Sequence, residues 1–67
     1  MSNVTKEFVI REIMGSETVV IADGFPDAET AIDWGYESLG IDVQTEPPIG
    51  EKFGFFVDCI YHYEGEE

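Results

Sequence analysis

Cys59 and His62 are the residue types that most often pair a nucleophile with its base or bind a metal. They lie in "FFVDCIYHY", an alternating run that predicts a β-strand, and positions 59 and 62 of such a strand face opposite sides of the sheet. A zinc site needs about four Cys and His ligands, and the chain has one of each. We therefore expect Cys59 in the core, His62 at the surface, no metal site and no catalytic residue.

The carboxylates form no catalytic or metal-binding motif. A calcium loop of the D-x-D-x-D-G kind with a glutamate at its twelfth position is absent, and the acidic residues are spread along the chain. Paired carboxylates for glycoside hydrolysis need a cleft, which 67 residues barely allow. No glycine-rich phosphate loop is present. The sequence predicts a protein that is not an enzyme and holds no cofactor.

A row of unpaired acidic side chains is the feature that most needs a functional explanation. The stretch "DAETAIDWGYESLG" predicts a helix, and at about 100° per residue it aligns Glu29, Asp33 and Glu37, with Trp34 on the other flank of the exposed face. Like charges four residues apart destabilise a helix. The row is either a solvated face, with the Trp34 ring folded over a loop, or a binding surface.

The charge of the whole chain favours a binding surface. Fifteen acidic residues face three basic ones, a formal net charge of −12. Small soluble domains usually carry a net charge of about 2 to 8 in magnitude, and a larger excess repels nucleic acid and anionic membranes. Either adaptation to high salt or a cationic partner could select for it. The bulky apolar content, with five phenylalanines, weakens the first explanation.

Strongly basic protein surfaces are most often built to bind DNA or RNA, so a basic nucleic-acid-binding protein or complex is the partner that the charge predicts. Carboxylates one helical turn apart are separated by about 6 Å, whereas one DNA strand has a phosphate every 3.4 Å or so. The helix row alone is therefore too sparse to mimic DNA. Further candidates beside it are Asp58 and the C-terminal glutamates, and the predicted partner-binding residues are Asp27, Glu29, Asp33, Trp34, Glu37, Asp42 and Glu46.

The elements that position these residues follow from periodicity. In "VTKEFVIREIMG", Val4, Phe8 and Ile10 share one face of a strand, and the pattern breaks at residues 12–13, which suggests a bulge or the end of the strand. Gly15-Ser16 fits a type II′ hairpin leading into "ETVVIA". These two strands are expected to pair antiparallel.

The helix is expected to begin near Pro26 and to end at Gly40 in a left-handed cap. Its small apolar residues permit a close approach to a sheet. The predicted inward stripe is Ala28, Ala31, Ile32, Gly35 and Leu39.

Two further strands are predicted after the helix. "IDVQTE" is expected to form an edge strand, and alternation along residues 53–63 puts Phe53, Phe55, Val57, Cys59, Tyr61 and Tyr63 under the helix. The predicted order is β-β-α-β-β: an α+β two-layer domain with an antiparallel sheet of three or four strands and one helix on one face. It forms one domain, 1–67, with a frayed acidic tail at 64–67.

Cellular location is predicted from the cysteine content and from the absence of long apolar runs. One cysteine excludes an internal disulfide and fits a reducing compartment. No run approaches the roughly 18 to 20 residues needed to span a bilayer, and the N-terminus does not resemble a signal peptide. We expect a cytoplasmic protein with no membrane contact, in the host cytosol if a phage encodes it.

In size and charge the chain resembles the small acidic inhibitors made by phages and mobile elements, which include anti-CRISPR proteins and the uracil-DNA glycosylase inhibitor. The resemblance rests on length, on few basic residues and on the acidic segments "DAETAIDWGYE" and "EKFGFFVDCIYHYEGEE". It implies a DNA-mimicking protein that blocks a nucleic-acid-binding complex, for example a CRISPR effector, without binding nucleic acid itself.

Two other functions remain open at the level of sequence. The chain could be a structural or regulatory subunit that adds an edge strand, best supplied by "IDVQTE", to a partner or to its own copy. It could also be a halophilic domain, which would fold only in molar salt. A monomer and a homodimer are both compatible with the sequence.

Overall fold

The computed structural model describes residues 3–64 and contains a four-stranded sheet with one helix on one face. The spatial strand order is β2-β1-β4-β3; β1 is antiparallel to both neighbours, and β3 is parallel to β4. The predicted α+β layout is confirmed, with a parallel edge pair as the one difference in strand direction. The elements are β1 Asn3–Met14, β2 Glu17–Phe25, α1 Ala28–Trp34, a π-helical segment Gly35–Leu39, β3 Val43–Gln44 and β4 Phe53–Glu64.

The β1–β2 hairpin turns at Gly15-Ser16, as the sequence predicts. Gly15 has a φ of 70°, and a type II′ turn requires such a positive φ at its first central residue. Among the described residues only glycines have a positive φ, so the φ of Ser16 is negative, as the second position requires. The pairing is irregular nearer the other end of the hairpin: β1 advances two residues from Phe8 to Ile10 while β2 moves three, from Phe25 to Ala22. The extra residues lie in β2, so the pattern break at residues 12–13 of β1 marks no bulge and instead lies next to the end of the strand at Met14.

The helix changes its hydrogen-bonding pattern halfway. Asp27 caps α1, and the helix continues from Gly35 as a π-helix, in which each bond spans five residues instead of four. Gly40 ends it in the predicted left-handed conformation, with a φ of 68°. Beyond this cap the Ile41 N–H donates to the Gly35 carbonyl at 3.2 Å, and the Ile41 side chain packs against the core.

The helix α1 and all four strands contribute side chains to the core between helix and sheet. Ile10 of β1 is fully buried, and Gly35 lets the helix approach so closely that a Cβ there would lie 2.7 Å from Cγ2 of Val43. The predicted role of small helix residues is therefore confirmed at Gly35. The buried cluster consists of Ile10, Phe25, Ala31, Val43 and Val57.

The central strands extend well past the helix that covers them. Strands β1 and β4 have 12 residues each, about 40 Å at 3.3 Å per residue, whereas α1 and the π-segment together rise about 18 Å. Phe55 and Val57 pack under the helix as expected. Phe53 and the two tyrosines on the same face do not: Tyr61 is 51% exposed and Tyr63 is 74% exposed.

The face of the sheet without a helix also buries apolar side chains. Val9 is only 1% exposed, and Ile13 and Phe56 are buried on the same side. The side chains of Glu7 and Arg11 flank Val9 on β1 and reach across to both neighbouring strands. Long polar side chains can cover apolar surface with their stems, so this face is closed without a second layer.

The ends of the chain limit two sequence predictions. Of the tail predicted at 64–67, Glu64 is the last residue of β4, and residues 65–67 lie outside the described residues. Within residues 3–64, no helix is long and apolar enough to cross a membrane.

Candidate partner-binding surface

The predicted binding residues lie in one continuous segment, from the N-cap of α1 to the loop after β3. Glu29 and Asp33 lie on α1, one turn apart, with Cβ atoms about 5 to 6 Å from each other. All the predicted residues are exposed, which leaves their charges in contact with solvent. We call this set the acidic surface: Asp27, Glu29, Asp33, Trp34, Glu37, Asp42 and Glu46.

Asp27 also has a structural role. Its Oδ1 accepts the Thr30 backbone N–H at 2.7 Å, which satisfies one of the free donors at the start of the helix. Hydrogen bonds from the Thr30 side chain and then the Thr30 backbone lower the pKa of the Asp27 carboxyl below its ordinary value. The charge at this end of the acidic surface is therefore kept to lower pH than that of a free aspartate.

The π-segment changes how the helix presents its last residues. The predicted row assumed an unbroken rotation of 100° or so per residue, but a π-turn holds more residues than an α-turn. Glu37 is therefore rotated away from the line through Glu29 and Asp33. Leu39, predicted to face inward, is 49% exposed for the same reason.

Two aromatic side chains accompany the carboxylates. Trp34 packs its ring against Phe25, with centroids 5.5 Å apart and planes tilted by 55°, and the residue as a whole is 38% exposed. Tyr36 is 72% exposed and was not among the predicted binding residues. Its only signal in the sequence is its position between Gly35 and Glu37, outside the apolar stripe.

Asp42 and Glu46 extend the acidic surface beyond the C-terminal end of the helix. Gln44 Nε2, a neutral donor, bonds to Asp42 Oδ2 at 3.2 Å. Glu46 follows β3 in the exposed loop that leads to β4. With Asp27 at the N-cap, they add exposed carboxylates on both sides of the helix in the sequence.

The ion pairs of the described residues all lie on the helix-free face of the sheet. Arg11 Nε is 2.7 Å from Asp58 Oδ2, and His62 Nε2 is 2.7 Å from Glu7 Oε1. Glu7 also accepts the Gly24 N–H at 2.8 Å, so its carboxylate links three strands. Asp58, considered as a further mimicry residue, is therefore paired with Arg11 on the opposite face and is not part of the acidic surface.

The nucleophile and metal hypotheses can be compared directly with the geometry. Cys59 is a free, half-buried thiol on the helix side, while His62 lies on the other side of the sheet. In the described part of the chain no three Cys, His, Asp or Glu side chains are grouped as metal ligands would be, and no pocket is enclosed. The acidic surface is thus an open one.

The predicted edge strand "IDVQTE" is much shorter than expected. Only Val43 and Gln44 pair with β4, and Val43 is buried against Gly35. A proline at position 43 would disturb the core as well as the edge. This segment is therefore a poor site for adding a strand from another chain.

Comparison of the chain with models of protein families, with curated proteins and with solved structures found no match.

Proposed function

We propose that the protein is a non-enzymatic inhibitor that binds the basic nucleic-acid-binding surface of a partner complex, for example a CRISPR effector. The observation that carries this proposal is the separation of charge. The carboxylates of the acidic surface have no cationic partner among residues 3–64, whereas on the other face Arg11 is paired with Asp58 and His62 contacts Glu7. A basic partner would supply the missing counter-charges.

The spacing of the carboxylates fits partial mimicry of a nucleic-acid backbone. Glu29 and Asp33, 5 to 6 Å or so apart, offer about one negative charge for every second phosphate of a DNA strand. Asp27 before the helix, and Asp42 and Glu46 after it, continue the charge past both ends. This number of exposed carboxylates would engage several Lys or Arg side chains rather than a single one.

The exposed aromatics would give such a contact its apolar centre. Interfaces concentrate binding energy in a few Trp, Tyr and Arg residues that are surrounded by polar groups. Trp34, held in place by Phe25, would lose little side-chain entropy on binding. Tyr36 adds a second aromatic beside Glu37.

The experiment compares two charge-reversal variants that have the same net charge. One carries Glu29→Lys, Asp33→Lys and Glu37→Lys on the helix. The matched control carries Glu17→Lys, Asp23→Lys and Glu51→Lys, all at exposed positions outside the acidic surface. Far-UV circular dichroism first establishes that both variants are folded.

The assay has two stages. Tagged wild-type protein captures partners from host lysate at about 50 and 200 mM salt, and a captured nucleic-acid-binding complex should be retained far better at the lower salt, as phosphate contacts are. Fluorescence anisotropy then measures competition with labelled DNA for that purified complex. We expect the wild type and the control to compete and the helix variant to fail. Competition by the helix variant at wild-type strength, or equal loss in both variants, would overturn the proposal.

A further inference from the structure

Strand β4 has a free edge over much of its length. Strand β1 pairs with β4 along all 12 residues, but β3 covers the other edge only at Phe55 and Phe56. From residue 57 to residue 63, no other described strand lies against that edge. Every second residue there directs its N–H and C=O groups outward, where they can form hydrogen bonds with another strand.

This edge lacks the features that usually prevent strand addition. Bulges, proline and lysine commonly protect exposed edges, but residues 57–63 contain no proline or lysine, and their register with β1 is unbroken. The opposite edge of the sheet is different. Strand β2 contains the register shifts, and acidic residues flank its apolar centre at Glu17 and Asp23.

We propose that the free edge of β4 pairs antiparallel with the same edge of a second copy of the chain, with the two-fold axis at Ile60. The bounds of the edge set this register: β3 occupies it up to Phe56, and β4 ends at Glu64. Centring on Ile60 places Val57 opposite Tyr63 of the second copy and Cys59 opposite its Tyr61. A two-fold contact of this kind closes on itself and stops at a dimer.

The polar side chains are complementary in this register. Asp58 lies opposite His62 of the second copy, so no carboxylate of the paired segment opposes another carboxylate. Within each copy Asp58 already contacts Arg11 and His62 already contacts Glu7. The helix-free face then carries a line of acidic and basic groups in alternation across four strands, in a chain with a net charge of −12.

The aromatic residues left exposed by the short helix provide the apolar part of the contact. Tyr61 and Tyr63 lie on the helix side of β4 and would pack across the strand junction. The same pairing at β2, centred on Val20, would place Glu17 opposite Asp23 of the second copy. Like charges directly opposite are destabilising, so β4 is the edge that fits a second copy.

The dimer should respond to salt in the direction opposite to the proposed inhibitor function. Two copies repel each other through their net charge, and screening shortens the range of that repulsion from about 10 Å at 0.1 M salt to about 3 Å at 1 M. Salt should therefore strengthen the dimer, whereas it weakens binding to a basic partner. A contact of this size belongs to the weak class, below about 1,200 Å² of buried surface, and requires high protein concentration.

A cysteine cross-link tests the register. Directly opposite residues in an antiparallel pair have Cα atoms about 4.5 to 5.5 Å apart, within the range that a disulfide spans. Ile60→Cys in a Cys59→Ser background should form a covalent dimer under mild oxidation. The control, Val20→Cys in the same background, exposes a cysteine on the β2 edge and should stay monomeric. Equal cross-linking of both variants would overturn the proposed register.

Sedimentation equilibrium tests the interface without a covalent bond. The apparent mass of the wild type should approach twice the 7.5 kDa chain mass as protein concentration rises. The concentration needed should be lower at about 1 M salt than at about 0.1 M salt. Tyr61→Lys with Tyr63→Lys should weaken association at least tenfold or so, although it lowers the net repulsion. The control Tyr36→Lys with Leu39→Lys makes the same charge change away from β4 and should still dimerise. A wild type that stays at 7.5 kDa at the highest soluble concentration, or dimerisation by the tyrosine variant at wild-type strength, refutes the proposal.

Discussion

The close approach of the helix to β3 makes Gly35→Ala a sharp test of the fold. The backbone at Gly35 has a φ of −63° and a ψ of −41°, which any residue adopts without strain. An added methyl group, however, would lie 2.7 Å from Cγ2 of Val43, closer than real Cβ contacts. Val43 is buried and β-branched, so its short side chain has little freedom to move aside.

Two opposing effects set the magnitude for Gly35→Ala. Replacing glycine by alanine within a helix stabilises it by about 0.8 to 1.0 kcal/mol, whereas overpacking a core costs about 1 to 3 kcal/mol. In the wild-type background we expect the free energy of unfolding to fall by up to about 2 kcal/mol. For a domain of this size, each kcal/mol lost lowers Tm by about 4 to 8 °C. In a Val43→Ala background the clashing atom is gone, so the same change should stabilise the protein by about 1 kcal/mol.

Urea unfolding of the four proteins of this double-mutant cycle, followed by far-UV circular dichroism, measures the coupling between Gly35 and Val43. The change of sign between the two backgrounds is the expected result. Gly40→Ala is the control, because its φ of 68° makes alanine costly while nothing lies near its side chain. Its cost should be the same in both backgrounds. If Gly35→Ala changes the free energy of unfolding equally in both, the close approach does not exist in solution.

Two further predictions concern the core and the helix cap. Ile10→Ala should lower the free energy of unfolding by about 2 to 5 kcal/mol, a large part of the 3 to 10 kcal/mol or so expected for a domain of this length. Ile10→Val should lower it by only about 0.5 to 1.5 kcal/mol. A loss below about 1 kcal/mol for Ile10→Ala in urea unfolding would contradict the assigned core. Because Thr30 lowers the Asp27 pKa in the folded state, the charged carboxylate stabilises the protein above its ordinary pKa and that stability is lost as pH falls through the lowered pKa. The stability of the wild type relative to Asp27→Asn, which keeps the cap without titrating, should therefore decline below about pH 4 in thermal melts; a difference independent of pH would contradict the cap assignment.

Local patterns in the sequence predicted the elements that depend on neighbouring residues. The alternation along β4, the Gly15-Ser16 turn and the left-handed cap at Gly40 were all correct, because each is decided within a few positions of the chain. Alternation also assigned the right face to Phe55 and Val57. It could not show how far along β4 the helix reaches, since coverage depends on the relative lengths of two separate elements.

The errors arose where the structure depends on a small energetic choice or on distant contacts. A π-helical bond differs from an α-helical bond by one residue, and the apolar pattern that predicted an inward Leu39 is the same for both. The parallel direction of β3 and the bulges in β2 are decided by packing across the sheet rather than by local sequence.

For the candidate site, the exposure of the acidic residues could be predicted from the sequence because charged side chains are rarely buried. Asp58 was the exception, since its pairing with Arg11 joins residues at opposite ends of the chain. Glu7, Val9 and Arg11 share one face of β1 because side chains alternate along a strand. What alternation could not supply is the register of β4, which brings Asp58 and His62 within reach of those polar side chains.

The pairing of β1 with β4 has a consequence for the way the chain must fold. These central strands are the first and last elements described, and their register joins Asn3 to Glu64. Even the pair closest in sequence, Met14 with Phe53, encloses residues 15–52, so this pairing must close a long loop before its contacts can form, and folds dominated by distant pairs reach the native state in milliseconds to seconds. During synthesis on the ribosome, the β1–β2 hairpin and the helix emerge long before the strand that completes the sheet. Stable folding therefore has to wait until β4 has left the exit tunnel.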